Sequence, residues 1–382
     1  MKIGVVTHWW CKENYGQLLQ AYAFQQFLIA RGHDPFLIRY FPGLLAGERG
    51  VWPRIRQKAV HPLEFVRGVL NRLTGAYQKY VLRQKRVGQT RKFDEFRTKN
   101  IRMTKQIYRS YAEICQSSEI DADIYSVGSD VVWKMLPLND NGRVHFLDFG
   151  RTRARRIAYS PSFGTDRLSE RYKLFAGPLI AKLDYVSVRE QSGVGLCAEM
   201  GRHDVIRVVD PVFLLTREEW FVRFAVRLDS SSSGYFAYLL DMVEPPSFEQ
   251  LDSIAKTAGE TLQIETVYAD MGFPEESLVD LTVPEWIERI ATAKCVFTNS
   301  FHAASFSLLF HTPFVVFLKY GGMGMDDRLL SLLKSLHLQN RICSSRADIE
   351  TIVRMPINWK QVDEVLTVER NKSIRFLERA GI

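Results

Sequence analysis

The stretch KCVFTNSFHAASFSLLFHTPFVVFL, residues 294–318, decides the fold class. An apolar run ends at Thr298, and the polar turn Asn299-Ser300 leads into Phe301 to Phe310. His311-Thr312-Pro313 then interrupts the pattern before a second apolar run, Phe314 to Leu318. Apolar strand, polar turn, helix, proline and apolar strand is the pattern of a parallel β-α-β unit, whose strands are covered on both faces and read as continuous hydrophobic runs. Open α/β sheets bind ligands just outside the carboxyl ends of their strands. His302 stands at such an edge, where an imidazole is a candidate acid or base. The alternative is a first-turn residue of a helix capped by Ser300 or Asn299.

Outward from this unit the alternation recurs. Ile3 to Thr7 reads as a strand, His8 to Asn14 as a loop and Gln17 to about Ala30 as a helix. Gly32 stops that helix and Pro35 to Tyr40 follows as a second strand. Ile124 to Gly128, Arg156 to Ser160, Leu183 to Val188 and Val205 to Val209 are further strands. Polar strings close them: Ser129-Asp130, Pro161 to Gly164, Arg189-Glu190 and Asp210-Pro211. The pattern is that of a Rossmann-like domain over residues 1–228. Asp229 to Ser233 reads as a linker. A second alternation covers 234–355, with strands at Tyr235 to Leu240 and Gln263 to Tyr268 and helices at Phe248 to Ala258, Val283 to Ala293 and Arg328 to Leu336. Residues 356–382 hold a last helix, about Trp359 to Arg379, long enough to return to the first domain.

With 382 residues there is length for two cores, and 46% hydrophobic and 25% charged residues are ordinary globular values. The start, Met1 to Thr7, lacks a signal peptide's basic region, and no apolar run approaches the roughly 20 residues of a membrane span. Cys11, Cys115, Cys197, Cys295 and Cys343 are widely spaced and form no CxxC pair, which points to a reducing cytoplasm and no zinc site. Of 51 Lys+Arg and 43 Asp+Glu, 16 and three fall within residues 51–110, a local balance of +13. The remaining 35 basic and 40 acidic residues leave about −5 elsewhere. Within this basic segment Phe65, Val66, Val69, Leu70, Leu73, Tyr77, Tyr80 and Val81 form an apolar stripe among Arg67, Arg72, Lys79 and Arg83. It reads as a helical insertion that either packs on the first domain or lies on an anionic membrane surface. Nucleic acid is not expected as a partner, because no binding motif accompanies the charge.

The chain has no GxGxxG after its first strand, no Walker A, no GxSxG and no HExxH. Gly321-Gly322-Met323-Gly324 comes too late for a phosphate-binding fingerprint. The candidates are therefore strand-end groups: Asn14, Tyr15 and Gly16; Ser129 and Asp130; Ser160, Ser162 and Phe163; Arg189; Asn299, Ser300 and His302; and Lys319. A guanidinium beside a helix start, as at Arg189, suits a phosphate or carboxylate.

These strings also carry a resemblance. The chain resembles the polysaccharide pyruvyl transferase family from its first strand to about Leu338. The matching pieces are Asn14-Tyr15-Gly16-Gln17-Leu18-Leu19-Gln20-Ala21-Tyr22, Val127-Gly128-Ser129-Asp130-Val131-Val132-Trp133, Ala158-Tyr159-Ser160-Pro161-Ser162-Phe163-Gly164, Ser187-Val188-Arg189-Glu190, Asp210-Pro211 and Thr298-Asn299-Ser300-Phe301-His302. Two departures, Val131 where the family often has Gln and Pro161 where Ala is commoner, bear on acceptor choice.

The resemblance implies two Rossmann-like lobes resembling the GT-B glycosyltransferase fold, with the basic helical insertion in the first lobe. It implies transfer of the enolpyruvyl unit of phosphoenolpyruvate to two hydroxyls of a sugar, leaving a pyruvate ketal and releasing phosphate, with no cofactor besides the donor; the sequence shows no metal-ligand cluster and leaves metal dependence open. Arg189 matches the arginine that grips the donor, His302 the catalytic histidine and Lys319 a downstream basic ligand. A small, highly anionic donor suits two cations and two helix N-termini, and a histidine can both deliver and remove the protons that ketal formation moves. A lipid-linked acceptor places the work at the inner face of the membrane, where segment 51–110 meets anionic lipid. Two other readings are a GT-B glycosyltransferase using a nucleotide sugar and a non-catalytic membrane-associated partner of glycan assembly.

Overall fold

In the computed structural model, which describes residues 1–11, 14–42, 90–134, 136–227, 234–240, 246–266, 273–318, 326–345 and 348–382, the apolar runs pair into two parallel sheets. The first sheet holds β1 (Lys2–Val6), β2 (Asp34–Leu37), β3 (Ile124–Val127), β4 (Arg155–Ala158), β5 (Tyr185–Val188) and β6 (Ile206–Arg207), in the order β2-β1-β3-β4-β5-β6. The second holds β7 (Tyr235–Tyr238), β8 (Leu262–Glu265), β9 (Cys295–Thr298), β10 (Phe314–Phe317) and β11 (Ile342–Cys343), in the order β11-β10-β9-β7-β8. Two α/β lobes result, as the alternation implied.

Strand order decides where a ligand can sit. In the first sheet the chain steps outward from β1 to β2 and then crosses to β3 on the other side of β1; in the second it steps from β7 to β8 and returns to β9. Each reversal opens a crevice at the carboxyl ends of the flanking strands. His8, Ser129 and Asp130 follow β1 and β3, and Asn299, Ser300 and His302 follow β9.

The lobes share a core. The helix Tyr15–Ala30 of the first lobe packs against the helix Phe301–Phe310 of the second, all ten of whose residues are buried. A helix apolar all round belongs inside a core, and its Ser305 and Ser307 hydroxyls are satisfied by donating to Phe301 O and Ala303 O. Tyr15 stacks on Trp286 with ring centroids 4.9 Å apart and donates its hydroxyl to Leu281 O. A fully buried ion pair of Arg91 and Glu265 lies beside it. The helix Trp359–Arg379 lies on the first lobe: Ser373 Oγ accepts from Val209 N, Arg370 Nε donates to Phe213 O, and Ala380 O accepts from Arg155 Nη1.

Some boundaries differ from the sequence reading. The first helix starts at Tyr15, not Gln17, because the Asn14 side chain accepts from Gly16 N and caps it there. The strand read over Pro35 to Tyr40 ends as β2 at Leu37, beyond which Tyr40 bridges in parallel to Tyr108. Leu183 and Asp184 precede β5 as part of the turn closing the Glu170–Ala181 helix, and only Ile206 and Arg207 of Val205 to Val209 form β6. The linker Asp229 to Ser233, Lys319 and the stripe from Phe65 to Val81 lie outside the described residues. Of the basic segment, Phe93–Asn100 forms a helix whose Phe93 packs edge-on to Tyr15 at 4.8 Å. Among the described residues no helix is long and apolar enough to cross a membrane, and no cluster of three or more His, Cys, Asp and Glu could hold a metal ion.

Candidate active site

The ends of β3 and β5 in the first sheet and of β9 in the second converge on one buried carboxylate, Asp210, which itself follows β6. Its place follows from Asp210-Pro211: Oδ1 accepts from Val212 N at 3.1 Å and caps a short 3-10 helix that begins with proline at its first position. That leaves Oδ2 turned inward. It accepts from Ser129 Oγ at 2.6 Å and from Arg189 Nη1 at 2.8 Å, and His302 Nε2 of the second lobe stands 3.5 Å away. Ser129, Arg189, Asp210 and His302 are all buried. Burial raises the Asp210 carboxyl, but His302, Arg189 and the Ser129 hydrogen bond outweigh it and hold the group well below the usual carboxylate range.

His302 owes its position to a glycine. A Cβ on Gly16 would lie 2.0 Å from His302 Nδ1 and 2.1 Å from its Cγ. The imidazole therefore rests directly on the backbone of the first turn of the Tyr15–Ala30 helix, and only glycine permits that approach. The two helix N-termini meet there, with Ser300 Oγ accepting from Ala303 N as cap of the second.

A second carboxylate, Asp130, lies on the other side of Arg189. It occupies the left-handed region at φ 78, as Ser160 does at φ 59 one strand over, and Asp130 pairs with Pro161 in an isolated bridge. Non-glycine residues held in that region cost of order 1–3 kcal/mol and cluster at functional sites. Asp130 Oδ2 is 3.5 Å from His8 Nδ1, and Oδ1 is 3.7 Å from Arg328 Nη1 and 3.9 Å from Arg189 Nη2. Burial raises this carboxyl, but the His8, Arg189 and Arg328 charges carry it far below its ordinary value. Arg328, near the start of the helix Asp327–Ser335, is pulled down to about 10 by burial and then by the like charge of Arg189, so it stays cationic at neutrality. Glu190, which accepts from Ser162 Oγ and Phe163 N, is pushed above the usual carboxylate range by burial despite Arg189 beside it.

Among the described residues, several buried side-chain atoms here have no hydrogen-bond partner: Arg189 Nε and Nη2, Asp130 Oδ2, Glu190 Oε2, His302 Nε2 and Ser160 Oγ. Buried polar groups are ordinarily satisfied, so such a concentration marks a place built to receive something. The Arg189 pattern is specific. Nη1 is committed to Asp210, while the Nε–Nη2 edge, which fits a carboxylate or phosphate in bidentate fashion, makes no hydrogen bond among the described residues and meets Glu190 and Asp130 only at 4.0 and 3.9 Å. Perturbed titratable groups gathered at strand ends make a functional-site candidate on physical grounds.

Of the residues singled out from the sequence, Gly16, Ser129, Asp130, Ser160, Ser162, Arg189, Ser300 and His302 meet here, Gly16, Ser162 and Ser300 by positioning others. Three do not face the crevice. Tyr15 is spent in the interlobe core, and Phe163 is buried against Trp133 with centroids 5.0 Å apart. Asn299 uses its whole amide on Leu240, accepting from its N–H and donating to its carbonyl. Asn14 is the helix cap. Arg189 does not pair at hydrogen-bond distance with adjacent Glu190, 4.0 Å away, but with Asp210. Sequence reasoning missed Asp210, His8 and Arg328 as site residues. Each follows a strand or opens a helix, a position that many other polar residues of the chain share.

The family model described as polysaccharide pyruvyl transferase matches residues 14–318. No curated protein matches the chain. Among solved structures, the UDP-GlcNAc 2-epimerase from Neisseria meningitidis bound to UDP-GlcNAc is 9% identical, with a TM-score of 0.48, covering 99% of this chain and 100% of that one. The UDP-GlcNAc 2-epimerase of Methanocaldococcus jannaschii in complex with UDP-GlcNAc and UDP is 9% identical at 0.48, covering 96% and 99%. The spinosyn rhamnosyltransferase SpnG is 13% identical at 0.40, covering 100% and 96%. Likenesses at this level say nothing about substrate.

Proposed function

Because this chain belongs to the polysaccharide pyruvyl transferase family, we propose that it moves the enolpyruvyl group of phosphoenolpyruvate onto two hydroxyls of a sugar in a polysaccharide precursor, around Arg189, Asp210 and His302. One observation carries this reading. A single buried carboxylate oxygen, Asp210 Oδ2, joins the first-lobe arginine to the second-lobe histidine.

Forming the ketal takes two C–O bonds to the donor's central carbon, one C–H bond to its methylene carbon and loss of phosphate. Of the two hydroxyl protons released, one ends on the new methyl group and the other leaves with phosphate. His302 serves as the acid/base of these steps, and Asp210 orients its imidazole and stabilises the imidazolium, as a buried carboxylate does in hydrolytic triads. The Nε–Nη2 edge of Arg189 takes a donor carboxylate or phosphate oxygen pair. Arg328 supplies a second cation against the donor's charge, and Lys319 a third. The buried carboxylates Asp130 and Asp210 repel an anion, so the cations gathered here must outweigh them when the donor binds.

The acceptor on this reading is a lipid-linked oligosaccharide presented at the cytoplasmic face of a membrane, and the charge of segment 51–110 supports that part alone. The test is phosphate release from phosphoenolpyruvate with a glycan acceptor. His302→Ala should abolish it while the thermal melt stays near that of the parent chain; near-normal turnover in that variant removes His302 from the chemistry.

A further inference from the structure

The crevice has a second wall that donor chemistry does not use. At the carboxyl end of β1, Trp10 stands between His8 and Phe41, with ring centroids 5.1 Å and 4.7 Å away, and all three side chains are partly exposed. The wall is continuous with the catalytic cluster, since His8 Nδ1 is 3.5 Å from Asp130 and Asp130 Oδ1 is 3.9 Å from Arg189. Behind His8 the buried ring of His145, 6.3 Å away, closes the back. Nδ1 is turned to Asp130, and the other ring nitrogen of His8 makes no hydrogen bond among the described residues.

An aromatic wall with one polar tip does not suit phosphoenolpyruvate, whose charges call for guanidinium groups. It suits a neutral ring that is apolar on its face and hydroxylated at its rim. We propose that His8, Trp10 and Phe41 form the acceptor subsite, taking a pyranose ring on the aromatic wall with one of its hydroxyls at His8. The inference rests on the pyruvyl transfer reading for its orientation: the hydroxyl at His8 faces the donor held by Arg189, and the two His–Asp pairs, His8–Asp130 and His302–Asp210, flank the reacting atoms. Trp10 then sets which sugar face is presented, and so which hydroxyls are bridged.

The test is saturation-transfer NMR on the full chain with saturating phosphoenolpyruvate, using methyl α-D-glucopyranoside, methyl β-D-galactopyranoside and methyl N-acetyl-β-D-mannosaminide as probes. Transfer to the ring C–H protons of at least one probe is expected. Trp10→Ala should weaken that binding about fivefold, equivalent to about 1 kcal/mol, and His8→Asn should weaken it as well. Trp10→Ala should keep the thermal stabilisation by phosphoenolpyruvate. No transfer to any probe in the parent chain, or undiminished transfer in both variants, overturns the subsite. Sugar transfer without any response to phosphoenolpyruvate in the parent chain instead refutes the donor assignment and leaves the subsite standing.

Discussion

Replacing Gly16 by Ala separates catalysis from folding. The added Cβ would sit 2.0 Å from His302 Nδ1 and 2.1 Å from Cγ, where ordinary contact begins near 3.4 Å, so the imidazole must retreat by about 1.4 Å. The helix carrying it is buried on every side and cannot yield easily. Separating the two helices would disturb the interlobe stack of Tyr15 on Trp286. Overpacking of this kind costs about 1–3 kcal/mol, while exchanging glycine for alanine in a helix returns about 0.5–1 kcal/mol, leaving a small net loss of stability. Catalysis is less forgiving, because displacing a reacting group by about 1 Å can cost about 100-fold in rate, or about 2.7 kcal/mol of barrier. Initial rates of phosphate release, measured with an acceptor that supports turnover of the parent chain, should therefore fall about 100-fold in Gly16→Ala, with a thermal melt only slightly lowered. A variant that melts normally and turns over at the parental rate would refute the idea that Gly16 seats the catalytic histidine.

Asp210→Asn keeps the shape of the hub but removes its charge; by analogy with triad carboxylates, kcat should drop about 10²–10⁴-fold, and a fall below tenfold would demote Asp210 to a structural cap. His145 governs an acid limb of stability. Burial, helped by the nearby charge of His8, holds its folded pKa down to about 3, against 6.5 for the free side chain. Between these values the unfolded chain binds the extra proton, so stability falls as pH falls, by roughly 2 kcal/mol from pH 6.5 to 4.5. Melting curves of His145→Gln across that range should flatten relative to the parent, and equal slopes would contradict the assignment. Neutralising Arg67, Arg72, Lys79 and Arg83 should reduce sedimentation with anionic vesicles, at about 1 kcal/mol per charge near the surface; unchanged sedimentation returns the segment to a packing role.

The lobes were legible because parallel strands buried on both faces must be written as unbroken apolar runs. The stretch from Lys294 to Leu318 is strand, helix and strand within a residue or two of the expected bounds. Short edge strands were read too long, since apolar residues flanking β6 are buried in the core without belonging to the ladder. At the site, Arg189 and His302 could be picked out by residue type and strand-end position. Asp210 could not be ranked above other strand-end acids, because its importance lies in being shared between two lobes, and no local pattern encodes that. The same holds for Gly16, whose need to lack a side chain arises from a histidine almost three hundred residues away. Tyr15 and Phe163 were misread for the converse reason: they stand next to site residues in sequence, but their side chains point into the core.

The most direct test of pyruvyl transfer at this cluster is proton NMR of the glycan product formed from phosphoenolpyruvate in deuterium oxide. A ketal methyl group carrying one deuterium is expected, formed in step with inorganic phosphate and absent from the His302→Ala reaction. A product carrying a new sugar from a nucleotide sugar, with phosphoenolpyruvate left intact, would contradict pyruvyl transfer.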